Sequence, residues 1–281
     1  MQRAILVTGA STGIGRAVVE RAVTEGARVF GTVRSERDAA ALEQLGVAPL
    51  RCDVTDARQV ASAVAAVAAA LEGQRLSALV NNAGIAVPGP LELLTTDDLR
   101  RQFEVNLFGL HEVTRACLPL LGTDAQRVGP LGRVVMISST NGVEAGPLVG
   151  PYAASKHALE GYSKSLRQEL MRFGIPVTVV APGPIRTPIW DKVEQAGIER
   201  FMQSPYGPAV SRASAIVLKS GRAGLPAERV ADVVWNAVTS RRPRRRLAVK
   251  RWMLGDVLFH LLPERWRDAL VARYLGLRPS A

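Results

Sequence analysis

The chain has 281 residues, and its 47% apolar and 22% charged composition is that of a soluble globular protein with a sizeable core. Its net charge of +11 is uneven: residues 191–281 hold seventeen Lys/Arg against eight Asp/Glu. No apolar run reaches the roughly 18 residues that a membrane-spanning helix needs. Cys52 and Cys117 are too few for a disulfide framework and sit among apolar neighbours, which predicts two inert packing thiols, a reducing compartment and a cytoplasmic location.

In chain order, Ala4-Ile5-Leu6-Val7 reads as a buried parallel strand that ends at Thr8-Gly9. A helix is predicted from about Gly13 to Glu25, stopping at Gly26. Arg28–Val33 is a second strand, Ser35 caps the next helix, and Gly46–Cys52 is a third strand ending at Asp53. An alanine-rich helix spans Gln59–Glu72, and a fourth strand, Leu76–Val80, ends at Asn81. One long helix is predicted from Thr96 to about Leu121, then a fifth strand over Gly132–Ile137. Another long helix runs from Tyr152 to about Phe173, and Pro176–Val180 is a sixth strand. Residues 188–224 read poorly as regular structure and form a substrate loop. Ala227–Ser240 is a helix and Arg246–Lys250 a seventh strand. Residues 251–277 read as one or two amphipathic helices broken at Pro263.

Strands alternate with helices throughout. This predicts a single α/β domain: a Rossmann-type, doubly wound parallel sheet of about seven strands, with residues 251–281 as a helical extension. In such a sheet ligands bind outside the carboxyl ends of the strands. There lies Thr8-Gly9-Ala10-Ser11-Thr12-Gly13-Ile14-Gly15. Gly9 suits a tight turn, Gly13 a close approach to a pyrophosphate, and Gly15 close helix–strand packing. The second strand ends at Val33-Arg34, where an acidic residue would select NAD. Arg34 suits the 2′-phosphate of NADP, with Ser11 adding a hydroxyl; the alternative is a solvated loop residue. Tyr152 and Lys156 share one helix face. An ammonium group beside the phenol would lower its pKa and make Tyr152 a general acid in reduction and base in oxidation. The Ser139 hydroxyl, thirteen residues earlier, can hydrogen-bond a substrate oxygen as charge develops.

The glycine turn, Asn81-Asn82-Ala83-Gly84, Ser139 and Tyr152-Ala153-Ala154-Ser155-Lys156 together resemble the short-chain dehydrogenase/reductase family over roughly residues 1–240. The resemblance implies hydride transfer between NADP(H), with NAD(H) as second choice, and a carbonyl or alcohol carbon. It implies that Ser11, Thr12 and Ile14 join the glycines around the cofactor, and that Asp53-Val54 touches adenine, although Asp53 could instead cap the following helix. By the same likeness Asn82, Ala83 and Gly84 support the ribose, and Lys156 holds the nicotinamide ribose hydroxyls. Asn106 would be the fourth catalytic position, holding a water of a proton relay. Pro182, Gly183, Ile185 and Thr187 would close the nicotinamide pocket. Val29–Arg34 and Ala158–Gly161 look like the hydroxysteroid and retinol branch, which suggests a hydrophobic ketone, aldehyde or secondary alcohol.

Two other functions compete with this one: a ketoacyl reductase on a carrier-bound thioester, and a non-catalytic NADP-binding sensor or scaffold. Expected partners are the small-molecule substrate and further copies of the chain in a homodimer or homotetramer. No metal is expected, since the histidines lack ligand spacing, and no nucleic acid, since no binding motif accompanies the basic stretch. That stretch, Arg241 to Arg251, precedes Trp252, Leu254, Val257, Leu258, Leu261, Leu262, Trp266, Leu270 and Tyr274 at roughly helical spacing. Residues 241–277 therefore face either the cleft or a subunit contact, or a peripheral membrane contact.

Overall fold

Short runs of branched and apolar residues form the seven parallel strands at the centre of the molecule. The computed structural model describes residues 2–188, 197–251, 259 and 261–277. The strands are β1 (Ala4–Val7), β2 (Arg28–Val33), β3 (Ala48–Arg51), β4 (Ala78–Asn81), β5 (Arg133–Ile137), β6 (Val177–Pro182) and, late in the chain, β9 (Arg246–Val249). They lie in the order β3-β2-β1-β4-β5-β6-β9, so the strand order reverses between β1 and β4. The short β7 (Ile185–Arg186) and β8 (Leu225–Pro226) pair beside the sheet.

Helices cover both faces. On one, α1 (Gly13–Thr24) and a late helix, Ala227–Thr239, bury Val18, Val19, Val230 and Val234 against β1, β4 and β5. An ion pair between Arg21 and Asp232 joins these two helices. On the other, α3 (Ala57–Ala70), α5 (Leu110–Leu118) and α6 (Gly150–Glu169) bury Val67, Val113, Leu159 and Leu166 against Leu6, Leu79 and Met136. Burial of the two cysteines in this layer pushes the Cys52 thiol to about 11 and the Cys117 thiol to about 12, which fits inert thiols. Ser35 caps α2 (Glu36–Glu43), accepting from the Asp38 N–H.

Several elements depart from the sequence reading. The helix expected from Thr96 to Leu121 is α4 (Thr96–Phe103), a widened π-helical turn at Glu104–Gly109, and α5, with a second wide turn at Pro119–Thr123. Asp56 rather than Asp53 caps α3, accepting from the Arg58 and Gln59 N–H groups; Asp53 instead closes a local turn on Thr55. Strand β6 runs on to Pro182, two residues past Val180. Within 188–224, where regular structure was not expected, α7 spans Gly207–Arg222. Pro208 reads as a breaker, but proline fits a first helical turn, where its missing N–H has no intrahelical partner to lose. The helix Ala227–Thr239 is α8, and α9 spans Glu264–Leu275, following Pro263. Trp252, Leu254, Val257 and Leu258 lie outside the described residues.

Candidate active site

The site grows from the point where the strand order reverses. There the carboxyl ends of β1 and β4 are joined by side chains. Thr8 Oγ1 accepts from the Asn82 and Ala83 N–H groups at 2.9 and 3.0 Å. Asn82 Nδ2 donates back to the Thr8 and Gly9 carbonyls at 2.9 and 3.0 Å. Thr32 of β2 holds the same turn from the other side, its hydroxyl accepting from the Gly9 N–H at 3.0 Å. The role of Thr8 was missed in the sequence, where only its place in the glycine motif is visible.

The glycines fit a phosphate cradle. Gly9 and Gly13 adopt φ of +63° and +59°, a region that favours glycine. A Cβ on Gly15 would strike the Gly9 carbonyl and stand 2.5 Å from Asn82 Nδ2. A Cβ on Gly13 would meet Thr187 Cβ at 3.1 Å, so the 183–187 segment closes over the turn. Helix α1 has no side-chain cap and no acidic residue in its first turn. Its free N–H groups and dipole end therefore suit an anion. Arg34 is exposed, two residues past Thr32. Ser11, Gly13 and Ile14 are half-buried and Thr12 exposed; Val54 is buried, and its carbonyl would meet a Cβ placed on Gly109.

The second half of the site lies between β5 and α6. Ser139 follows β5, and its Oγ accepts from the Asn141 N–H at 3.1 Å. Ser139 is also the polar side chain that acts on the Tyr152 phenol, favouring its ionised form. Lys156 is buried, donates from Nζ to the Ile137 carbonyl at 2.8 Å, and lies 5.8 Å from the Tyr152 ring centroid. Burial raises the Tyr152 pKa and the Ser139 side chain partly offsets this. The expected lowering by Lys156 is absent from this balance, because burial acts on the lysine too: it pulls Lys156 down to about 8, against the raising effect of Glu160. The neighbouring Ser138 is buried with no hydrogen-bond partner for its hydroxyl, which lies near Gly142, as does Glu160.

Asn106 sits in the π-helical turn and is buried. Its Oδ1 accepts from the Ile85 N–H at 2.9 Å; its Nδ2 donates to the Ile85 carbonyl and to Ser155 Oγ, both at 3.1 Å. Ser155 in turn donates to the Tyr152 carbonyl at 2.8 Å. Both amide hydrogens of Asn106 are thus engaged by protein, and the side chain braces the segment after β4 against the helix that carries Tyr152. Gln102 does the same one turn earlier, accepting from the Val87 N–H and donating to the Ile85 carbonyl, both at 2.8 Å. It is fully buried, yet it follows the charged run Asp97–Arg101, which reads as a solvated face, so nothing in the sequence pattern pointed to it. Among the described residues no group of His, Cys, Asp or Glu could hold a metal ion.

The model of the short chain dehydrogenase family matches residues 3–197. An NADPH-dependent 3-dehydrocapnine reductase of Ornithobacterium rhinotracheale is 37% identical over 272 residues, 95% of each chain. A 3-ketodihydrosphingosine reductase of Bacteroides thetaiotaomicron is 32% identical over 85% of this chain and 84% of its own. Among solved structures, a single-substitution variant of actinorhodin polyketide ketoreductase with NADPH is 30% identical, with a TM-score of 0.74 over 89% of this chain and 96% of that one. The chain belongs to the short-chain dehydrogenase/reductase family and is an oxidoreductase.

Proposed function

We propose that the protein is an NADP(H)-dependent reductase of hydrophobic ketones or aldehydes, with the matching alcohol dehydrogenation as its reverse. The observation that carries this reading is the buried Lys156, held on the Ile137 carbonyl 5.8 Å from the Tyr152 ring centroid, on the same sheet edge as Ser139 and an uncapped α1. Gly9, Ser11, Thr12, Gly13, Ile14 and Gly15 would hold the cofactor phosphates and Arg34 the 2′-phosphate. Asp53 and Val54 would flank adenine, and Asn82 to Gly84 with Lys156 the ribose. Pro182, Gly183, Ile185 and Thr187 would border the nicotinamide. When bound, the cofactor supplies a hydride.

The protein's own side chains manage the proton. Ser139 Oγ donates a hydrogen bond to the substrate oxygen as negative charge develops there. Tyr152 Oη gives its proton to that oxygen, so the carbonyl gains a hydride and a proton and leaves as an alcohol. With its pKa raised by burial, Tyr152 is held protonated at neutral pH, which suits an acid in the reducing direction. Lys156, still charged at neutral pH, lies 5.8 Å from the Tyr152 ring centroid, where its charge would oppose that of the phenolate left behind.

A hydrophobic substrate is supported by apolar residues near the site: Val143 and Leu148 lie four residues from Ser139 and Tyr152 in the chain, and Leu148 belongs to a small apolar cluster. Ile198, Phe201 and Val210 pack with Leu94, Leu148 and Tyr206, and Leu91 and Val143 stand exposed on adjoining loops. Both curated relatives are named as reductases, of a 3-dehydro and a 3-keto compound. The test is loss of nicotinamide absorbance on mixing the protein with NADPH or NADH and a panel of long-chain and short-chain ketones and aldehydes. NADPH is expected to serve better than NADH. A charged hydrogen bond from Arg34 contributes roughly 1.5–3 kcal/mol, or about 10- to 150-fold in affinity, and Arg34→Ala should lose that margin chiefly by weakening NADPH. Equal binding of NADH and NADPH by the parent protein would contradict the reading of Arg34.

A further inference from the structure

Helix α9 carries apolar side chains on two opposite sides. Toward the protein it buries Leu275 and half-buries Val271, and Gly276 just after it lies against Arg212 of α7. Toward solvent it presents Trp266, Leu270 and Tyr274, which are 57, 48 and 69% exposed. Residues four apart drift only about 40° round a helix, so these three form one stripe. Leu261, just before the helix, is also exposed. Single exposed apolar residues are ordinary, whereas large ones in line mark a surface that something covers.

The charges decide what covers it. Arg273 falls within the stripe, roughly 20° from Trp266, and Arg265 lines one surface hollow with Trp266, Leu270 and Arg273. The two acids of the helix, Glu264 and Asp268, fall roughly 120° and 160° from the centre of the stripe. Residues 241–281 together hold eleven Lys/Arg and three Asp/Glu, a net +8. Arg241, Arg242, Arg244, Arg245 and Arg251 are all exposed. A second copy of the chain seated face to face on this stripe would bring two sets of Arg265 and Arg273 together. An anionic lipid surface would neutralise them instead. Tryptophan and tyrosine suit the bilayer interface, with an apolar ring body and a polar edge, and arginine stems lie along apolar surface while their heads reach phosphate. No helix among the described residues is long and apolar enough to cross a membrane, so the contact is peripheral.

We propose that the Trp266–Leu270–Tyr274 stripe of α9, with Arg265 and Arg273, docks the protein on an anionic lipid bilayer surface. Docking of this face does not depend on the reaction assigned above.

The experiment is co-sedimentation of the full chain with vesicles of phosphatidylcholine alone and of phosphatidylcholine with about one-third phosphatidylglycerol, at low salt and at about 0.5 M salt. Sedimentation with the anionic vesicles at low salt is expected, with little on the neutral ones and a sharp loss at high salt. The triple variant Trp266→Ser/Leu270→Ser/Tyr274→Ser should lose at least about tenfold in partitioning while keeping the parent's melting midpoint, since all three groups face solvent. Arg265→Gln/Arg273→Gln, which leaves the apolar stripe intact, should lose about fivefold per cation. Failure of the parent protein to sediment with anionic vesicles overturns the proposal, as does unchanged binding by a folded triple variant or by the arginine pair. So does a concentration-dependent dimer that the triple variant abolishes, which would give the face to a second copy.

Discussion

The sheet edge from Thr8 to Thr187 and the shell from Ile198 to Leu277 use polar side chains in opposite ways. At the edge, Thr8, Asn82, Gln102, Asn106 and Ser155 bond the backbone or side chain of another segment, mostly out of water. In the shell, outside α8 with its Arg21–Asp232 pair, polar bonds are mostly local or exposed: Ser204 turns back on the Phe201 carbonyl, and Tyr206 meets Glu92 at the surface. The edge is therefore over-determined, its turns and helices tied to one another by buried bonds. The shell is free to vary in what it receives, whether substrate or surface. The difference predicts where substitutions hurt.

The largest effect should come from Gly15→Ala. Its Cβ would enter the space filled by the Gly9 carbonyl and the Asn82 amide, and overpacking of that kind costs roughly 1–3 kcal/mol or more. Calorimetry should show a lowered melting midpoint, and NADPH titration should show little binding. A protein of parental stability that binds NADPH normally would mean the turn is not locked. Next in size is Gln102→Leu. It leaves the buried Val87 N–H without this partner, at about 1–3 kcal/mol, while the Ile85 carbonyl keeps its bond from Asn106. Denaturant unfolding should register that loss, and a change under about 0.5 kcal/mol would break the contrast between edge and shell.

The pH dependence sharpens the same contrast, because the edge buries a cation in Lys156. That lysine is held at about 8, below its ordinary 10.5, by burial. Between those values the unfolded chain binds more protons than the folded one, so stability should rise with pH across that window. The reduction rate should fall above about pH 8 as the ammonium is lost. Glu160 favours the charged lysine, and Arg246 holds it at 3.2 Å, so Glu160→Gln should move that falling limb to lower pH. An unmoved limb would mean that another group sets it. The smallest effect belongs to the shell: Arg241→Ala/Arg242→Ala removes two exposed cations and should change stability by under about 0.5 kcal/mol.

Much of the sheet was legible because each strand is a short branched run ended by a turn residue, and burial on both faces leaves no other reading of Ala4–Val7 or Val177–Val180. The candidate site was legible as a set of spacings, which the fold brings to one edge. What escaped was tertiary. The π-helical turn at Glu104–Gly109 keeps an apolar pattern that also suits an unbroken helix, and only packing against Val54 and Ile85 reveals the widened turn. Gln102 escaped because a buried amide beside charges looks solvated until its partners, Ile85 and Val87, are known. The rise in the Tyr152 pKa escaped because spacing shows that a lysine is near, while burial, which acts on both groups, is set by the rest of the fold.

The most direct measurement compares Tyr152→Phe with the parent protein in two assays: NADPH binding by fluorescence titration, and single-turnover reduction of an accepted ketone. Only the hydroxyl is removed, so binding should stay close to the parent's while the reduction step slows by roughly 100- to 10,000-fold, the usual contribution of a positioned general acid. Reduction at a near-parental rate, with NADPH bound, would show that the proton comes from elsewhere and would contradict the account.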